Sequence, residues 1–283
     1  MEETAQNTQN TQTVQTVQTA QTAQNAQNNE AIRRGLSSKA IKWIAMVTMA
    51  VDHTAVAIIE TLFYYGQNEV SASVFLVYEV MRDIGRLAFP LFIYLLVEGF
   101  FRTHSRAQYL SGMLIFSAIS EIPFDLALTL GPDSAAAGVF IESTHQNIYF
   151  TLSIGLLCMV VAERIFIGTG RANPALQVIV ACLVAAGGGA LAELIKADYG
   201  AVGVIAIVAA YMMRRNKLSD LELPAAVGVL LFSNLTEGYA IADCFFVHAS
   251  NGLRGNIKYK WLYYIFYPAH LAILALLKYL IFA

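Results

Sequence analysis

The stretch TMAVDHTAVAII, Thr48 to Ile59, sets an aspartate beside a histidine inside an apolar run long enough to cross a bilayer. An ionisable side chain at the centre of a membrane helix costs about 2.5 to 3.5 kcal/mol, so such groups turn inward and serve a purpose. The run therefore predicts a membrane helix whose polar residues face the inside of a bundle. Lys42, Met49, His53 and Glu60 follow one another at offsets of seven, four and seven, which keeps them on one stripe. Asp52 sits about 100° round from His53, so both can face a cavity without forming one packed surface.

The rest of the chain supports a membrane reading. Of its 283 residues 57% are hydrophobic and only 13% are charged, and the mean hydropathy is +0.55. A soluble domain of this length would struggle to keep so much apolar surface out of water. The spacing predicts an all-α polytopic bundle of about eight transmembrane helices, near 39–64, 87–103, 108–130, 147–167, 174–195, 201–213, 224–247 and 261–282, each close to the roughly 20 residues a span requires. The sixth is short and can also be read as fused with the fifth in a bent hairpin. Residues 1–37 form a Gln-, Asn- and Thr-rich tail with a degenerate triplet repeat, a composition that cannot bury a core and reads as disordered. Residues 38–283 form the membrane domain. The net charge of −2 offers no basic excess for nucleic acid. Cys158, Cys182 and Cys244 lie in apolar runs, without the spacing of a metal site or a disulfide framework.

Lys and Arg set the orientation. With the N-terminus in the cytoplasm, Arg82, Arg86, Lys196, Arg254, Lys258 and Lys260 fall outside, and the other twelve of the eighteen cations fall inside. That bias predicts both termini on the cytoplasmic side, an outer loop over 66–86 with an interfacial helix carrying Phe75, Leu76 and Val80, and an outer cationic rim of Arg86, Arg254, Lys258 and Lys260.

More polar residues lie at membrane depth. Ser117, Glu121 and Asp125 succeed one another at i+4, with Pro123 between the acids breaking the hydrogen-bond ladder, so that face is expected to line a polar cavity. Glu98 stands above Arg102 at i+4, either a structural pair or a polar gate. Asn234 and Glu237, with Asp243 nearer the outer end, occupy the seventh run. Tyr263, Tyr267 and His270 share a face of the last helix beside Pro268. The tyrosines there read first as an interfacial aromatic belt, Glu193 and Lys196 as a snorkelling pair, and the glycines at 187–189 as a close-packing site.

A histidine at mid-depth can act as a general base, since its unperturbed pKa of about 6.5 leaves it neutral near physiological pH. An adjacent carboxylate could orient or charge-balance it. No G-x-S-x-G elbow, P-loop or strand-flanked G-x-G-x-x-G appears, which argues against hydrolases and NTPases.

LSSKAIKWIAMVTMAVDH, GRLAFPLFIYLLVEGFFRTHSRAQYL, SAISEIPFD, NIYFTLSIGLL, DYGAVGV and KYKWLYYIFYPAHLAILALL resemble, in order, the signatures of the TraX family of bacterial membrane proteins. That family is named for a conjugative protein implicated in N-terminal acetylation of F-type pilin, and it is similar to membrane acyltransferases with an essential histidine in the first transmembrane helix. The resemblance implies a multi-pass protein of the bacterial inner membrane that takes acetyl from acetyl-CoA to an acceptor at the outer face. The acceptor is either the N-terminal amine of a pilin-like peptide or a hydroxyl of an envelope glycan. His53 would be the base, with Asp52 and His270 beside it in the catalytic group. Arg86, Glu98, Glu121, Asp125, Asn234, Glu237 and Tyr267 would line the binding site, with no metal. The competing class is a proton-coupled transporter, because intramembrane acids and histidines beside proline-broken helices also build proton relays. The inverted repeat such a transporter would show is not visible in the sequence.

Overall fold

A backbone that crosses hydrocarbon can satisfy its N–H and C=O groups only within helices or a closed barrel, and this chain takes the helical solution. The computed structural model describes residues 35–65, 71–168, 173–253 and 261–282. The tail over 1–34 and three members of the expected cationic rim, Arg254, Lys258 and Lys260, lie outside the described residues. Among the described residues six helices are long and apolar enough to cross a membrane: α1 (Ser38–Tyr65), α2 (Ala72–Arg102), α3 (Arg106–Thr129), α4 (Ile148–Gly168), α5 (Pro174–Leu194) and, last in the chain, Trp261–Phe282. Between the last two come α6 (Gly200–Arg215), α7 (Glu222–Ser233) and α8 (Ile241–His248), so Trp261–Phe282 is α9. Local chemistry starts these helices. The side chains of Ser37, Ser71 and Ser105 cap α1, α2 and α3, and Asn173 caps α5 ahead of Pro174.

Two helices loosen at the residues singled out in the sequence. In α1 the Thr54 hydroxyl bonds the Ala50 carbonyl at 2.7 Å, competing with the helix ladder, and residues Ala55–Glu60 widen into a π-helix. In α3 Pro123 withholds an N–H, and Asp125–Thr129 follows as a second π-helix. The two segments touch each other.

Side-chain bonds order the bundle from one side to the other. Ser38, at the start of α1, donates to Glu98 near the end of α2 at 2.8 Å, Asp52 pairs with Arg82 at 2.6 Å, and Glu60 accepts from Tyr78 at 2.8 Å. The two helices therefore run antiparallel along their whole lengths. This corrects the expected outer loop over 66–86. Residues 72–85 climb beside α1, with Tyr78 and Arg82 turned to its acids and Phe75, Leu76 and Val80 exposed outward. Arg82, which reads as a loop marker in the sequence, is half of a half-buried ion pair.

The seventh run also departs from expectation. Arg214, at the end of α6, bonds Glu222 at the start of α7 at 2.5 Å. The helix stops at Asn234, whose backbone is extended and whose side chain caps the 3-10 turn Leu235–Ala240. From there α8 returns to where it began, for Ala249 and Asn251 bond the backbone of Leu36. α7 and α8 are about 18 and 12 Å long, so neither crosses a core of about 30 Å, and together they form a re-entrant hairpin. α9 begins against Lys42 and Trp43 on the Ser38 side. It ends with Lys278 donating to the carbonyls of Ala127 and Leu130 at the far end of α3. α1 and α9 both run from the Ser38 side to the far side, so the first and last described residues lie at opposite ends of the bundle, not on the same side as the charge bias suggests. Leu253 and Trp261, which flank Arg254, Lys258 and Lys260, both stand on the Ser38 side.

The close-packing reading of the triple glycine holds for two of its members. A Cβ on Gly188 would strike the Cys158 sulfur, and one on Gly189 would lie 3.1 Å from Ala201. Glu193, by contrast, caps α6 through the Ala201 N–H at 2.8 Å.

The topology is directly measurable. In a cysteine-free background, Leu218→Cys and a cysteine appended after Ala283 should react with an impermeant maleimide from opposite faces of sealed vesicles. Labelling of both from one face would contradict the re-entrant hairpin.

Candidate functional site

His53 is the sixteenth of the 28 residues of α1, which places it at mid-depth, two residues before the helix loosens. Its ring is nearly coplanar with that of His270 from α9 and meets it edge to edge, with an interplanar angle of 4° and centroids 5.0 Å apart. His53 Nδ1 and His270 Nε2 are 2.7 Å apart, and His270 Nδ1 is 2.9 Å from the Phe266 carbonyl. Tyr267 stands edge-on to both rings, 5.9 Å from His53 and 5.6 Å from His270, and edge-on to Tyr149 at 4.9 Å. The Tyr267 hydroxyl is buried beside the Ile148 backbone without a hydrogen bond of ordinary geometry.

Five helices, α1, α2, α3, α4 and α9, enclose a cleft of about 480 Å³ that ends at this tyrosine. Its mouth, on the Ser38 side, is set with Lys42, Glu98, Arg102, His104 and Gln108. Its walls are apolar, formed by Met46, Met49, Phe92 and Phe266, and its inner end is closed by Tyr149 and Tyr267. From Ser38 to Met49 is eleven residues of α1, or about 16 Å of depth. Glu98 and Arg102 form their i+4 pair at 3.1 Å, and Arg102 also holds the Gly252 carbonyl at 2.7 Å. The pair therefore fastens the end of the re-entrant hairpin to the rim of the cleft.

Asp52 does not orient His53. Its carboxylate is turned to Arg82, and the two helices meet there because Gly85 lacks a Cβ, which would collide with the Asp52 side chain. Arg86 bonds Glu237 at the hairpin tip at 2.9 Å and has Tyr199 as its other polar neighbour. Asp198, in the turn before α6, joins this layer; burial raises its carboxyl to about 6. Tyr199 adopts a left-handed backbone conformation and stacks on Phe89, ring centroids 3.9 Å apart. The layer thus carries two cations and three acids, held mostly against one another.

The other expected site residues are dispersed. Glu121 bonds the Asn147 side chain, while Asp125 accepts the Glu142 N–H at 2.8 Å and keeps one oxygen without a partner. Neither lines the cleft; of the expected binding residues only Glu98 and Tyr267 do. Asn234 is exposed on the hairpin tip and Asp243 is fully buried on its returning limb. Sequence reading passed over Arg82, Asp198 and Tyr149 as members of these groups. Arg82 alone carried a usable signal, four residues before Arg86 on an unbroken helical pattern. Among the described residues no group of His, Cys, Asp or Glu is arranged to hold a metal ion.

A helical bundle of apolar helices, with an imidazole pair at mid-depth and a cleft that reaches the neighbouring Tyr267 but is lined by neither histidine, defines a polytopic membrane protein. The chain belongs to the TraX protein family, which it matches over residues 37–278. It is also 28% identical over 262 residues to the probable fimbrial assembly protein FimC, serogroup H1, of Dichelobacter nodosus, covering 86% of this chain and 96% of that one. No solved structure matches the chain.

The ionic layer makes a stability prediction. Glu237→Leu removes the carboxylate that bonds the Arg86 guanidinium and should cost about 3 kcal/mol, whereas Arg86→Leu combined with Glu237→Leu should recover much of it. Thermal unfolding in detergent measures both. A double variant no more stable than the single one would show that the pair is not what holds the hairpin tip.

Proposed function

We propose that this protein is a membrane acetyltransferase that carries an acetyl group from acetyl-CoA to an acceptor at the opposite face, with His53 as general base. The observation that carries this reading is the blind cleft that ends at Tyr267, edge-on to the His53 and His270 pair. An elongated thioester with a polyanionic head suits such a shape. The head would meet Lys42, Arg102 and His104 at the mouth, the pantetheine arm the apolar walls, and the thioester carbonyl the inner end. The Ser38 side is the one facing the cytosolic donor, for it collects Lys39, Lys42, Arg102, Arg106, Arg214 and Arg215 as cytoplasmic surfaces do.

In the reaction His53 removes a proton from the acceptor amine or hydroxyl, the new C–N or C–O bond forms at the acetyl carbon, and the C–S bond breaks. The CoA thiolate leaves and takes up the proton that His53 received. The Tyr267 hydroxyl, at the cleft end, is placed to donate to the carbonyl oxygen as it gains charge. The fimbrial name of the relative favours the amino terminus of a pilin-like peptide as acceptor over an envelope glycan.

With purified protein, acetyl-CoA and membrane extract, release of free CoA should be seen, and His53→Ala should lower it about 10²- to 10⁴-fold, the range for loss of a positioned base, without loss of protein from the membrane. Turnover that survives His53→Ala intact would remove His53 from this role. Solute uptake without acetylated product in either strain would instead support the proton-coupled transporter.

A further inference from the structure

We infer that His270 is a positioning residue that fixes the tautomer of His53 so that its Nε2 is the basic atom, a role that rests on the acetyl-transfer reading for its chemistry but not for its geometry. The Phe266 carbonyl can only accept, so the 2.9 Å contact requires a proton on His270 Nδ1. A neutral His270 then presents a lone pair at Nε2. The 2.7 Å contact from that atom to His53 Nδ1 requires one proton between the two nitrogens, and it must belong to His53. With Nδ1 protonated, the neutral His53 ring keeps its remaining lone pair at Nε2, which makes no hydrogen bond among the described residues.

The chain of contacts is therefore directional, running from the Phe266 carbonyl through His270 and His53 to the acceptor. When Nε2 takes the acceptor's proton, the ring becomes an imidazolium whose Nδ1–H already points at a neutral acceptor, so the positive charge is shared by the two rings. Transfer of that Nε2 proton to the departing thiolate returns the pair to its starting state. Asp52 is engaged with Arg82 and cannot supply this orientation, so a second imidazole stands where a catalytic triad has its carboxylate. The groups facing the pair are Tyr267, from the helix of His270, and the Asp52 and Arg82 ion pair, from α1 and α2. Between Phe266 and His270 lies Pro268, which withholds one N–H from the α9 ladder beside the pair.

The test combines turnover with spectroscopy. His270→Leu removes the acceptor and should lower kcat about 100-fold, a part of what a positioned base contributes, with KM for acetyl-CoA unchanged. His270→Gln returns an acceptor oxygen near the position of Nε2 and should restore kcat to within about tenfold of the wild type. Because His270 acts through His53, His53→Ala with His270→Leu should be no slower than His53→Ala alone. Unchanged kcat in His270→Leu, or losses that multiply in the double variant, would overturn the assignment. Independently of turnover, ¹⁵N spectra of histidine-labelled protein near neutral pH should show His53 protonated at Nδ1 and bare at Nε2. The opposite tautomer would overturn the inference even in an active enzyme, and the expected tautomer in a protein that releases no CoA would leave the pair standing while the acetyl-transfer reading fell.

Discussion

The bond between Arg86 and Glu237 is the constraint around which the molecule is arranged. A guanidinium at membrane depth has no water to complete its shell, and its desolvation is offset only by a partner of opposite charge in good geometry. Arg86 stands where α2 turns at Arg86 and Leu87, and Glu237 stands at the tip of the α7–α8 hairpin. For the two to meet, the chain after α6 must enter only part of the way and turn back. The re-entrant turn leaves α9 to start again from the Ser38 side, which places the first and last described residues at opposite ends of the bundle.

The same demand explains how α1 and α2 associate. Asp52 and Arg82, and Glu60 and Tyr78, are rungs between two antiparallel helices, and the missing Cβ of Gly85 lets the first rung close. Each rung removes a polar group from lipid. His53, next to Asp52 on α1, instead meets a second imidazole. The π-turn beginning two residues later fits a helix that trades regular hydrogen bonding for the aim of a side chain.

The cleft and the histidine pair meet at Tyr267, yet different elements make them. The cleft lies inside the ring that α1, α2, α3, α4 and α9 close. The pair exists because α9 packs against both α1 and α3. Lys278, buried and bonded to two carbonyls at the end of α3, anchors the far end of α9. α9 is thus the element that joins donor cleft and base in the proposed reaction.

Composition and periodicity determined that the chain is a helical membrane bundle, because about 20 apolar residues in a row have no other stable use. They also marked His53 and His270, since an ionisable group in hydrocarbon is legible in one dimension as an exception to its surroundings. Motif resemblance carried the family. What the linear pattern could not carry was partnership. Asp52 looked like the neighbour of His53 because it is adjacent in sequence, whereas adjacent helical residues point about 100° apart and the Asp52 side chain fills the space beside Gly85 to meet Arg82 of another helix. Residues 72–85 looked like a loop, and 224–247 like a span, because hydropathy counts a charge as exposed whether or not another helix neutralises it. Only the tertiary structure decided which charges cancel, and that cancellation set the helices' directions, the number of crossings and the ring against which His53 rests.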